Sequence, residues 1–143
     1  MREAVINQED LQRLLDAEFP ETFNPVTGFV ILEIWYGGCR MRYGFHEKSL
    51  RPGGTISGPA MMLLADVSVF VAVLASIGWT PLAVTTSLNI NFLKKPAPAA
   101  LEAECRLLKI GKRLAVGEVS IRSEGEADLV AHATLTYSIP PRG

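Results

Sequence analysis

Everything else in this chain has to be arranged around Ser57-Gly58-Pro59-Ala60-Met61-Met62-Leu63-Leu64-Ala65-Asp66-Val67-Ser68-Val69-Phe70-Val71-Ala72-Val73-Leu74-Ala75-Ser76-Ile77-Gly78. The spacing predicts one helix, with Gly58 as N-cap, Pro59 at the first helical position and Gly78 as the stop. Its residues are apolar on every side, so it must be buried all round rather than laid on a surface. Asp66 alone interrupts it with a charge. A carboxylate in such a helix is costly unless it is paired, hydrogen-bonded or turned to a solvated pocket.

A membrane span is the rival reading. It would need about 20 mostly apolar residues, and a central Asp would add about 2.5–3.5 kcal/mol. Pro59 shortens the run, and the flanking segments are strand-like and need a core to pack on. A core helix is the expectation, with no membrane partner.

A chain of 143 residues suits one structural domain, here read as an N-terminal helical segment, 1–26, leading into the main unit, 27–143. Fourteen basic residues against fifteen acidic ones leave a net charge of −1 and no general attraction to nucleic acid. The opening residues lack the basic-then-apolar pattern of a signal peptide, so a cytoplasmic protein with reduced thiols is expected. Cys39 and Cys105 have no metal-type spacing, and Cys105 reads as a small buried side chain.

Outward from the long helix, the pattern becomes strand-like. Asn7 to Phe19 predicts an amphipathic helix capped by Asn7, with Leu11, Leu14 and Leu15 as its stripe. Phe29–Tyr36 and Arg40–Glu47 read as paired strands turned by Gly37-Gly38, and 48–56 as a loop. Beyond the helix, Val84, Thr86, Leu88, Ile90 and Phe92 alternate with Thr85, Ser87, Asn89 and Asn91, as a half-buried strand would. Three more alternating runs follow, over 101–107, 118–122 and 129–137, separated by turns at Gly111-Lys112-Arg113 and Glu124-Gly125-Glu126. His46 and His132 fall in strand-like runs and read as outward polar residues. An antiparallel sheet curled round the buried helix accounts for this order, and any open edge would favour self-association.

Arg51-Pro52-Gly53-Gly54, then Ser57-Gly58-Pro59 and Leu64-Ala65-Asp66, resemble the helix entry of the hotdog-fold acyl-CoA thioesterases, in their PaaI-like branch. The run 83–96 is similar to that family's strand after the helix, and 108–113 and 130–137 to its later strands. The resemblance covers roughly residues 28–139. It implies an α+β hotdog fold, dimers or tetramers formed by joining sheets, and an acyl-CoA substrate, with no metal or tightly held cofactor. It also implies that Asp66 is the general base or nucleophile and that the Gly58 N–H, at the helix start of the other subunit, polarises the thioester carbonyl.

The residues are suited to those roles. A helix start offers unpaired N–H groups and a positive dipole end to a developing oxyanion, and Asp66 can take a proton from water or attack directly. By the same resemblance Thr85 orients the attacking water, and Arg51, Gly53 and Gly54 lie on the substrate side. Lys94, Lys112 and Arg113 are candidates for CoA phosphates, each equally readable as a solvated turn residue. Two departures stand out: Ser57 replaces the usual His, and Arg51 stands where Asn is common. They leave open an alternative, an acyl-CoA-binding protein without catalysis.

Overall fold

Asn7 opens the first helix. In the computed structural model, which describes residues 2–25, 27–44, 50–51 and 55–141, its side chain accepts hydrogen bonds from the N–H groups of Glu9 (2.8 Å) and Asp10 (3.2 Å). Helix α1 runs Gln8–Glu18 and buries Leu11 and Leu15 completely.

Strands β1 (Phe29–Trp35) and β2 (Gly38–Tyr43) form a hairpin, but its two connecting residues are Tyr36 and Gly37, not Gly37 and Gly38. Gly37 has φ +96°, a conformation that favours glycine. Gly38 is in the ladder opposite Trp35, where a Cβ would stand 2.5 Å from the Cys105 carbonyl oxygen. The described part of β2 ends at Tyr43, and residues 45–49, with His46, lie outside the described residues, as do Gly53 and Gly54. The segment expected as a loop contains a short antiparallel pair, β3 (Leu50–Arg51) with β4 (Thr55–Ile56).

Helix α2 spans Gly58–Ile77, with its cap one residue earlier than expected. Ser57 is the N-cap, its Oγ accepting from the Ala60 N–H at 3.2 Å, and Gly58 becomes the first helical residue. A hydroxyl satisfies an otherwise orphaned N–H, which glycine cannot do. Gly78 ends the helix, donating its N–H to the Leu74 carbonyl.

The remaining strands are β5 (Val84–Phe92), β6 (Leu101–Ile110), β7 (Leu114–Ser123) and β8 (Leu129–Ser138). Six strands make one antiparallel sheet in the order β1-β2-β6-β7-β8-β5, and α2 lies against it, touching every strand. Ala103, Cys105, Ala115, Gly117, Ala131 and Ala133 lie in its central strands. These small residues let the helix approach closely: a Cβ at Gly117 would stand 3.5 Å from Val69 of the helix. Each larger aliphatic side chain fully buried at this interface, such as Leu64, Leu74 or Ile121, contributes about 1.5–3 kcal/mol. Cys39 and Cys105 face each other in register as buried free thiols; burial, and then the neighbouring thiol, pushes the Cys39 thiol up.

Strand β5 departs from its predicted alternation. The register with β8 slips between Thr85 and Ser87, so Thr86 is an extra residue. The bulge exchanges the faces of everything before it. Thr85 now pairs with inward-facing Tyr137 and shares a face with Leu88 and Ile90, while Val84 is 55% exposed.

Candidate active site

The bulge brings a hydroxyl to the one charged group of α2. Asp66 is half-buried, and the Thr85 hydroxyl donates to its Oδ1. The Tyr137 hydroxyl lies 2.8 Å from the same Oδ1 and 3.0 Å from the backbone carbonyl of Asp66. Among the described residues no donor reaches Oδ2. The carboxylate is therefore held by one oxygen and left available at the other.

Tyr137 itself is held in its neutral form. Burial is the main cause, and the adjacent charge of Asp66 adds to it; both push the phenol far above its ordinary pKa. It therefore remains a hydrogen-bond donor to Asp66 across the working pH range. The sequence reading placed Tyr137 on an inward face without giving it a role. A signal was present: a buried tyrosine needs a partner for its hydroxyl, and Asp66 is the lone ionisable residue of the buried helix.

These three residues line a pocket of about 260 Å³. Phe70, Leu63 and Val67 supply its wall from α2. Phe19, expected from the sequence as the end of the first helix, also faces it, together with Thr22 and Phe23.

The other expected site residues lie elsewhere in the chain. Gly58 is eight residues before Asp66, about 12 Å along the helix axis. It lines a second hollow with Met61, Phe92, Leu93, Lys94 and Lys95. A Cβ at Gly58 would meet the Phe92 ring at 3.2 Å, so close packing as well as access accounts for the glycine. Ser57 is engaged as the cap, and Lys94 pairs with Asp128 at 3.4 Å and Glu126 at 3.9 Å. Lys112 lines a third hollow with Ser76 and Ile77, at the opposite end of α2, and Arg113 sits beside it in the β6–β7 turn. Arg51 contributes backbone to β3. Within one chain, then, Asp66 and Thr85 meet each other, and Gly58, Ser57 and Lys94 gather at the helix start. Among the described residues no group of three or more His, Cys, Asp or Glu side chains is placed to hold a metal ion.

Comparison with known proteins agrees with this architecture. The thioesterase superfamily model matches residues 53–130. A candidate esterase of Saccharolobus solfataricus is 30% identical over 135 residues, covering 94% of this chain and 87% of that protein. The crystal structure of a candidate thioesterase from Silicibacter sp. TM1040 superimposes with a TM-score of 0.87 at 44% identity, covering 97% of this chain and 95% of that one. A Streptococcus mutans UA159 protein, solved with acetyl-CoA bound, has a TM-score of 0.68 at 25% identity, over 80% and 90% of the two chains. A family match over more than half of the chain, on a six-stranded antiparallel sheet packed against one long helix, shows that this chain belongs to the thioesterase superfamily and has its hotdog fold.

Proposed function

We propose that the protein hydrolyses acyl-CoA thioesters, with Asp66 as the general base or nucleophile. The observation that carries this reading is the Asp66 carboxylate on the wall of an apolar pocket, with Oδ1 held by two hydroxyls and Oδ2 left without a donor. The acetyl-CoA bound to the Streptococcus mutans relative supports a CoA thioester as the substrate class. In the base route, Asp66 takes a proton from water as the water oxygen attacks the carbonyl carbon. Collapse of the tetrahedral intermediate breaks the C–S bond, and the departing thiolate regains a proton from Asp66, leaving acid and CoA.

The oxyanion donor comes from a second subunit in this reading. Strand β5 is a sheet edge, and Val84, Phe92 and Leu93 beside it are at least half exposed. Pairing β5 with its own copy about a twofold axis sets the Thr85 end of one strand against the Phe92 end of the other. Asp66, bonded to Thr85, then approaches Gly58 of the partner subunit, packed beside Phe92. The Gly58 N–H, at the helix start, has no intrahelical acceptor and is free to meet an oxyanion. The same dimer, or a tetramer of it, would act in the cytoplasm, with the lysine at each helix start, Lys94, near the CoA phosphates.

A second reading has one specific observation in its favour. Ser57, at the position of the family's usual His, is engaged in capping α2. That favours an acyl-CoA binder without chemistry. Thiol release from a panel of acyl-CoAs by wild type and Asp66→Asn separates the two. Hydrolysis that falls by about 10²–10⁴-fold in the variant supports the enzyme; no release from any member, with CoA esters still raising the melting temperature, supports the binder.

A further inference from the structure

The polar groups of the Asp66 pocket are collected at one place, because Asp66, Thr85 and Tyr137 bond to one another. From there a series of ring contacts leads away: Tyr137 to Phe70 (6.2 Å between centroids), Phe70 to Phe19 (5.4 Å) and Phe19 to Trp79 (6.2 Å). Phe19 belongs neither to the sheet nor to α2. It caps the C-terminus of α1, and the N–H groups of Thr22 and Phe23 both donate to its carbonyl, at 3.1 and 2.9 Å. These bonds close a tight turn over the pocket, with Phe23 buried.

We propose that Phe19 and Thr22 form the end wall of the acyl pocket and set the longest acyl group that can be seated with its carbonyl at Asp66. The inference rests on reading this pocket as a thioester site. The pocket is small, about 260 Å³ within one chain, so the position of its walls limits what it can seat. The wall is supplied from outside the helix–sheet unit, and none of its side chains donates to Asp66, so its position can change without disturbing the carboxylate.

The test is a series of saturated acyl-CoAs from two to twelve carbons, each kcat/KM divided by the same variant's value for acetyl-CoA. Wild type should fall by roughly tenfold or more for each step that forces a methylene past the wall. Phe19→Ala and the milder Phe19→Leu should carry that limit outward by two or more carbons, and Thr22→Phe should draw it inward. Superimposable profiles for all four proteins, with Asp66→Asn still inactive, would overturn the end wall and leave the thioesterase standing. If no acyl-CoA is cleaved, the thioesterase reading falls, and the wall is judged on the rise in melting temperature across the same series. There a limit displaced by the variants supports it, and an unmoved one overturns it.

Discussion

The Tyr137 hydroxyl reaches Asp66 at two points, Oδ1 and the backbone carbonyl, and so ties the last strand of the sheet to the middle of the buried helix. A hydrogen bond to a charged group contributes about 1.5–3 kcal/mol, a factor of roughly 10–100. Tyr137→Phe keeps the ring and removes both bonds. The variant should lose roughly 10-fold or more in kcat, because the carboxylate is deprived of one of the two donors that hold Oδ1. An unchanged kcat would show that the phenol serves packing alone.

The same residue has a consequence for alkaline stability. The folded state holds the Tyr137 proton far more tightly than an unfolded chain, whose tyrosines titrate near pH 10. Below about pH 10 both states keep the proton, and the stability difference is fully present; above it only the unfolded chain releases it, so stability falls as pH rises. Urea midpoints at pH 8 and 10.5 should therefore fall less for Tyr137→Phe than for wild type.

The bulge in β5 can be tested by length as well as by substitution. Deleting Thr86 removes the extra residue and makes the pairing with β8 regular, with Thr85 still opposite Tyr137 on the inward face. The deletion should therefore retain thiol release and a cooperative melt, and lost release would show that the bulge itself sets the reach from Thr85 to Asp66. Thr85→Ser should retain activity and Thr85→Val should lose roughly 10-fold or more, since valine keeps the shape and not the donor. Comparable rates for serine and valine would remove Thr85 from the site.

Ser57 caps α2, and losing a cap costs about 1 kcal/mol. Ser57→Ala should melt about 2–4 °C lower, and Ser57→Asp, which caps equally well and favours the helix dipole, should match wild type. If the hydroxyl serves only the cap, kcat/KM of both variants stays with wild type.

Complementation tests the shared site. Gly58→Pro removes the N–H proposed as oxyanion donor, and Ser57 already has the extended conformation, φ −70° and ψ 152°, that a following proline requires. Neither Gly58→Pro nor Asp66→Asn should hydrolyse thioesters alone. Unfolding and refolding them together should recover about a quarter of wild-type activity, since about half of the dimers are mixed and each has one intact site. No recovery would place base and oxyanion donor within one chain.

Much of the architecture was legible because it follows from local patterns. The all-apolar run of α2, the Asn7 cap and the alternation in β6, β7 and β8 each point to one local structure. The family resemblance, carried by the helix entry, is borne out by the superfamily match and the superposition. What escaped depends on register and distance. Nothing between Thr85 and Ser87 marks a bulge, since the extra residue is not a glycine and the pattern of side chains is unbroken. Tyr137 meets Asp66 across 71 positions, through a strand order that places β8 between β7 and β5. The cap moved by one because Ser57 and Gly58 both qualify, and only the bond from Ala60 decides.

The small residues beneath α2 have a further consequence for how such a molecule changes over time. The helix is seated closely on alanine and glycine of the central strands, and the Asp66 pocket opens beside it, between α2 and the β5–β8 side of the sheet. Enlarging any floor residue would lift the helix and displace Asp66 with it. New substrates must then be accommodated by the parts that border the pocket from outside, the turn after α1 and the entry to β5. The interior sets the fold, and its margins are where one descendant can come to differ from another.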